Sequence, residues 1–170
     1  MATELLLART DNVAIVLSHA LVYRTGCLLT VEVATRKGSL DLDDWRDLFF
    51  AVHDEARMPS RRWERVLRLG VRYSDGTTVT NLDSPFTPKP GADPPGPPVG
   101  PGLRWNPSSS GAGGFRPHTQ GALWLWPLPP AEPLQFAVEW PLAGIDLTIV
   151  ELDGAELVAA ATRSTGYWLD

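Results

Sequence analysis

Cysteine is nearly absent from this chain of 170 residues, and Cys27 is the single one. A disulfide within the chain is therefore excluded. Cys27 stands between Gly26 and Leu28 at the start of an apolar run, which favours a small buried core residue. A catalytic thiol would need a base close to it in space, which is a property of the fold rather than of the sequence.

Basic residues are also scarce. Fifteen Lys and Arg stand against 20 Asp and Glu, a net charge of −5, and only Lys37 and Lys89 are lysines. Proteins that bind nucleic acid usually carry an excess of basic charge that neutralises phosphates. We therefore expect no nucleic-acid partner.

Long hydrophobic runs are missing as well. The longest apolar-rich stretch, residues 13–23 (VAIVLSHALVY), is interrupted by Ser18 and His19. It is shorter than the ~20 residues that a membrane-spanning helix needs. The first residues lack the basic segment of a secretory signal. We expect a cytoplasmic protein with no membrane partner.

Signatures of enzymes are absent from the sequence. There is no Gly-x-Ser-x-Gly, Walker loop, Gly-x-Gly-x-x-Gly, His-Glu-x-x-His or Cys-x-x-Cys motif. The three histidines, His19, His53 and His118, are scattered singly. We predict no catalytic residue and no cofactor, and a non-enzymatic role is favoured while enzymatic activity stays open.

Alternation of apolar and polar residues predicts a chain rich in β-strands. In the clearest case, Leu29, Val31 and Val33 share one face of a strand. The turn Asp75-Gly76 between two such runs predicts a hairpin. The predicted strands are residues 3–7, 13–23, 28–34, 67–73, 77–82, 123–128, 134–140 and 147–152. The run at 123–128 is expected to pair with the run at 134–140.

Two short segments have the properties of helices. The first ends before Pro59 and has Asp43 or Asp44 as its cap; its apolar residues at helical spacing are Trp45, Leu48, Phe49 and Val52. The second, residues 154–163, follows the capping-box spacing of Asp153 and Glu156. A strand after the Asp-Gly turn stays possible for this second segment.

Proline and glycine concentrate between residues 81 and 121, which hold ten of the 16 prolines and eight of the 15 glycines. Proline removes a backbone donor and glycine is costly to order, so no regular ladder is expected there. We interpret residues 83–121 as a flexible insertion within a single β-rich domain, residues 1–170. The predicted fold is an antiparallel β-sandwich, Ig-like or jelly-roll-like, with one or two short helices; a partly closed barrel is the alternative.

Three stretches look familiar: LRLGVRYSDGTTVTNL at 67–82, LWLWPLPP at 123–130 and FAVEWP at 136–141. Together with Leu152-Asp153-Gly154, they resemble a group of uncharacterised actinobacterial proteins. The similarity extends over most of the chain. It agrees with a β-rich fold and implies no activity, cofactor or site residue.

An acidic run is the weak candidate for a metal site. Asp41, Asp43 and Asp44 place hard oxygens close together, which calcium or magnesium accepts. The remainder of an EF-hand pattern is missing, so a solvated loop with a helix cap is the favoured interpretation.

An arginine cluster is the first candidate for partner binding. Its central members are Arg61, Arg62 and Arg65, and such a cluster could bind phosphate or an acidic partner. The preceding residues 39–55 are acidic, so neutralisation between the two segments is favoured.

Two tryptophans are the second candidate for partner binding. Trp124 and Trp126 share one face of a strand whose other face carries Leu123 and Leu125. Burial within the chain is favoured, while an exposed pair could contact a protein or stack on sugar rings. Our leading hypothesis is a non-enzymatic interaction or structural protein that binds a protein partner or self-associates. The alternatives are a carbohydrate-binding module and, less favoured, a metal-assisted enzyme.

Overall fold

The computed structural model describes residues 2–52, 63–82, 100–108 and 118–165. It is mainly β, with two antiparallel sheets that pack face to face around one apolar core. The predicted β-sandwich is therefore confirmed. In these parts of the chain, neither helix is long and apolar enough to cross a membrane.

Nine strands and two helices are described. They are β1 (Ala2–Arg9), β2 (Val13–Tyr23), β3 (Gly26–Thr35), α1 (Leu42–Ala51), β4 (Arg68–Arg72), β5 (Thr78–Thr80), β6 (Gly102–Ser108), β7 (His118–Trp126), β8 (Pro133–Trp140), β9 (Ile145–Asp153) and α2 (Gly154–Thr162). Short 3₁₀ turns at Trp63–Arg65 and Pro141–Ala143 precede β4 and β9.

Sheet A has five strands in the order β1-β2-β3-β7-β6, and sheet B has four in the order β5-β4-β8-β9. Apolar residues at every second position point inward from both sheets, as the period of two predicts. Trp140 and Phe136 on β8 are the largest fully buried side chains. The Trp140 indole donates a hydrogen bond of 2.9 Å to the Arg65 carbonyl, so its one polar atom is satisfied inside the core.

Helix α1 is capped by Asp41, whose carboxylate accepts from the Asp44 backbone N–H at 2.8 Å. The prediction of Asp43 or Asp44 as the cap was wrong, because the helix begins at Leu42 and leaves Asp41 in the extended conformation that a cap requires. The predicted end of this helix, residues 53–58, lies outside the described residues.

Helix α2 confirms the second prediction. Asp153 caps it by accepting from the Ala155 backbone N–H at 2.8 Å, and Arg163 donates to the Ala159 carbonyl at 3.0 Å near its end. Leu157 is buried in the core. The helix contacts β2 of one sheet and β8 of the other, so it packs against both sheets.

Two sheet predictions were wrong. The runs at 123–128 and 134–140 do not form a hairpin, because β7 pairs with β3 and β6 in sheet A while β8 pairs with β4 and β9 in sheet B. The expectation that no ladder survives between residues 81 and 121 also fails, since β6 and the start of β7 lie there. β6 is an edge strand, which is where a strand tolerates a proline such as Pro107. Residues 83–99 and 109–117 of the predicted insertion lie outside the described residues.

Two tryptophans cover glycines on neighbouring strands. A methyl group added to Gly121 on β7 would lie 2.0 Å from the Trp105 ring of β6. A methyl group on Gly26 of β3 would lie 2.7 Å from the Leu125 carbonyl oxygen and 2.9 Å from the Trp124 ring of β7. Gly121 is thus required by the indole that crosses it diagonally, and Gly26 by both the backbone and the indole of the next strand.

Candidate functional site

The outward face of sheet B carries its side chains in three rows across the strands. The middle row is Ile149, Ala137, Gly70 and Thr80, contributed by β9, β8, β4 and β5 in that order. One neighbouring row is Glu151, Gln135, Arg72 and Thr78. On the other side lie Glu139 and Arg68, with Leu147 beside them at a bulge of β9. The face is therefore apolar in the middle and charged on both sides.

Two aliphatic side chains stand out on this face. Leu147 is 64% exposed and Ile149 is 54% exposed, although both belong to a regular strand. They lie on the face of sheet B that points away from sheet A, opposite the buried residues of the same sheet. Adjacent large apolar residues exposed on a sheet face mark a surface that another molecule can cover.

A dent of about 340 Å³ lies beside these two residues. Its floor is formed by Gly70 and Ala137, the smallest residues of the middle row. Ile149 and Leu147 line one side, and Thr80 and Leu82 line the other. The small residues leave room for one protruding side chain of a partner, which is the usual form of an anchor pocket.

An ion pair borders the dent on one side. Arg68 donates to the Glu139 carboxylate at 2.7 Å and to the Trp63 carbonyl at 3.1 Å, and its guanidinium lies 5.8 Å from the Trp63 ring centre. The Arg68 side chain is about three-quarters buried and the Glu139 side chain about two-thirds, which restrains both in one geometry. The pair is a fixed, neutral rim.

The other border carries single charges. Arg72 on β4 and Glu151 on β9 are both exposed, and neither side chain has a hydrogen bond or ion pair to another described residue. They stand in one row with Gln135 of β8 between them. A cation and an anion are thus available to a partner on this side of the dent.

The predicted arginine site is only partly described. Arg61 and Arg62 lie outside the described residues. Arg65 pairs with Asp47 of α1 at 2.7 Å, and this contact holds the pKa of the Asp47 carboxyl below its usual range. This one contact joins the basic segment to the acidic segment, as the favoured interpretation of the sequence expects. Whether the cluster binds a partner stays a prediction.

The predicted tryptophan site lies on the outward face of sheet A. Trp124 and Trp126 are half-buried there, and Leu123 and Leu125 are fully buried on the inward face. Tyr23 lies 6.0 Å from Trp124, centre to centre, with the two rings tilted by 57°. The rings of Tyr23 and Trp124 therefore do not form one flat surface. Sugar binding by Trp124 and Trp126 stays a prediction.

The weak metal candidates are separated by their roles in α1. Asp41 is the cap, Asp43 lies 4.0 Å from Arg46, and Asp44 supplies its backbone N–H to the cap. Among the residues that the structure describes, no group of three potential ligands comes together.

The described histidines and the cysteine are held by local contacts. His19 lies 3.2 Å from the Ser18 hydroxyl and 3.0 Å from the Thr30 hydroxyl, and His118 pairs with Glu32 at 3.0 Å. Cys27 is fully buried, which confirms it as a core residue. This burial raises the pKa of its thiol to about 12, so little thiolate forms at neutral pH.

A wider recess of about 500 Å³ surrounds the turn between β1 and β2. The polar side chains that line it form hydrogen bonds to the backbone of this chain. Asn12 donates to the carbonyls of Arg36 and Lys37, and Arg36 donates to the carbonyl of Asp11. These donors stabilise the loop.

Comparison with protein-family models, with curated proteins and with solved structures finds no match to this chain. Function is therefore inferred from the surface of the molecule. The face of sheet B was missed at the level of sequence, although one signal was present. β9 is apolar on both faces, with Leu147 and Ile149 on one face and Val150 and Leu152 on the other. Only one face of an edge strand can meet the core.

Proposed function

We propose that this chain is a protein-interaction domain that binds a protein partner through the outward face of sheet B. The observation that carries the proposal is the exposure of Leu147 and Ile149 beside the dent floored by Gly70 and Ala137. Burying two aliphatic side chains of this size releases a few kcal/mol at about 25 cal/mol per Å². A partner that covers them recovers this free energy, and the charged rows give it orientation.

The proposal is tested by comparing partner capture by two matched variants. In the first, Leu147→Ser with Ile149→Ser removes the apolar surface from sheet B. In the second, Leu21→Ser with Tyr23→Ser removes exposed apolar side chains from sheet A. Each tagged protein is used to capture partners from the lysate of its own host, with quantitative mass spectrometry as the readout and thermal melting as the check of folding.

We expect a partner enriched by the natural sequence to be lost from the sheet B variant and kept by the sheet A variant. The captured protein should then bind the purified domain directly and with the same dependence on the two variants. Loss from the sheet A variant alone would contradict the proposal and move the interaction to the aromatic face. Equal capture by all three proteins would remove both faces from consideration.

A further inference from the structure

We infer that the partner fitted by this face is a second copy of the chain, packed on sheet B about a twofold axis that runs along β8. The inference rests on the proposed function and names the partner for the same surface. Its basis is a repeated spacing: a protrusion and a recess, and a cation and an anion, all lie two strands apart on opposite sides of β8.

The protrusion is Ile149 and the recess is the floor at Gly70. Both belong to the middle row, with Ala137 of β8 between them. Sheets that pack face to face lie ~10 Å apart with strands aligned to within about 30°. A twofold axis along β8 places β9 of one copy over β4 of the other, so Ile149 of each copy enters the dent of its partner.

The same axis pairs the single charges. Arg72 on β4 comes to face Glu151 on β9 of the other copy, and the contact occurs twice because the arrangement is symmetric. Gln135 lies on the axis and faces Gln135 of the other copy, so the two side-chain amides can exchange hydrogen bonds. One rotation thus pairs Arg72 with Glu151 and places Ile149 of each copy in the recess of the other.

The remaining charges are compatible with this geometry. Glu139 also faces Glu139 of the other copy. Within each copy, Arg68 lies 2.7 Å from Glu139 and neutralises its charge. Pairing through the edges of β9 would instead bring together Asp146, Glu151 and Asp153 of both copies. Like charges on adjacent strands are destabilising, so the acidic edge favours packing through the face.

The size of the face sets the expected strength. The axis along β8 overlaps β4, β8 and β9 of the two copies and leaves each β5 outside the contact. Three strands spaced about 4.8 Å apart and about five residues long measure roughly 14 by 17 Å. A standard interface buries about 800 Å² on each partner, so this one is smaller than standard. We expect a dimer that forms reversibly in the range of micromolar to millimolar protein.

Charge reversal gives the sharpest test, since both positions are exposed and neither has a described intramolecular partner. Sedimentation equilibrium of the full chain should show a dimer. Arg72→Glu or Glu151→Arg alone should raise the dissociation constant of this dimer about tenfold. Mixing the two single variants should restore association, because each copy then supplies the charge that the other lacks at both contacts. This rescue is specific to the reciprocal geometry of a twofold axis.

Filling the recess is the second test. A methyl group on Gly70 would lie 3.4 Å from the Val79 carbonyl oxygen and farther from all other atoms, so the backbone accepts a side chain there. Gly70→Leu should keep the melting temperature and abolish the dimer. Gly70→Ala is the matched control, because one methyl group leaves most of the dent open.

A chain that stays monomeric at millimolar concentration overturns the inference. A dimer that none of these substitutions weakens, or a mixture of single variants that does not recover association, overturns it as well. Loss of a different protein from the lysate capture of the Leu147→Ser, Ile149→Ser variant, with the natural chain monomeric, would leave the proposed function standing and remove only the second copy as its partner.

Discussion

The substitution Gly121→Ala is expected to destabilise the protein strongly for a residue that changes by one methyl group. The added carbon would lie 2.0 Å from one atom of the Trp105 ring and 2.5 Å from two others, whereas ordinary contacts begin near 3.4 Å. The ring must therefore move by more than 1 Å at this point. Its indole donates to the Val52 carbonyl at 3.5 Å, a contact that the movement breaks.

Overpacking of this kind costs about 1–3 kcal/mol. For a domain of this size each kcal/mol lowers the melting temperature by about 2–4 °C, so Gly121→Ala should lower it by about 2–12 °C. Gly70→Ala is the control, since it also adds a methyl group in the middle of a strand but meets no atom closer than 3.4 Å. It should change the free energy of unfolding by less than about 0.5 kcal/mol.

The assay is a double-mutant cycle followed by urea unfolding. Trp105→Ala removes the ring that clashes, so Gly121→Ala should cost about 1–2 kcal/mol less in that background than in the natural sequence. The displaced Trp105 indole N–H should also shift in the NMR spectrum of the single variant. If Gly121→Ala costs no more than Gly70→Ala, or if its cost is the same with and without Trp105, the steric reasoning is wrong.

Three other predictions concern titratable side chains. Tyr73→Phe should leave stability unchanged or raise it by about 1 kcal/mol in urea unfolding, because the Tyr73 hydroxyl is buried with no partner among the described residues; a clear loss would reveal a bond. The Cys27 thiol, with its pKa raised to about 12 by burial, should resist a disulfide reagent at pH 8 in the folded protein and react fully in denaturant; equal rates would contradict its burial. Asp47→Asn should lower stability by less than about 0.5 kcal/mol above pH 4, because the pair is exposed. Since Arg65 lowers the folded pKa of Asp47, that difference should vanish as the pH falls through the folded pKa, and a difference that persists there would point to a role other than the ion pair.

Local patterns predicted the elements whose signals lie within a few residues. β2 spans residues 13–23 as expected, the Asp75-Gly76 turn joins β4 to β5, and α2 begins directly after its Asp153 cap. In each case the period, the turn or the cap involves neighbours in the chain. These signals are physical constraints on the backbone, and the packing of the sandwich agrees with them.

Strand pairing could not be predicted in the same way. β7 and β8 are separated by six residues, yet they lie in different sheets, because β7 finds its partner β3 about 90 residues earlier. The prolines between them mark a connection and do not say whether the chain turns back or crosses over. β6 was not predicted because residues 81–121 are rich in proline and glycine. An edge strand tolerates residues that an interior strand excludes, and the sequence does not show which strands lie at an edge.

The candidate site depended on the same missing information. Trp124 and Trp126 were expected to share a face, and they do, but their partial burial follows from neighbours such as Gly26 and Tyr23. A strand that is apolar on both faces was a signal in the sequence. Only the packing of the two sheets shows that Leu147 and Ile149 lie on the face of β9 that points away from the core.

The order in which the chain visits the two sheets has a consequence for synthesis. β1, β2 and β3 are successive in sequence and form a meander, while β8 and β9, which cover its inner face, begin at Pro133. A ribosome adds about 5–20 residues per second, so the meander waits roughly 5–20 s for its cover after Thr35 is made. During that interval a row of Val, Ile and Leu side chains faces water on the nascent chain. A chaperone that binds β1, β2 and β3 during that interval should therefore raise the yield of folded protein.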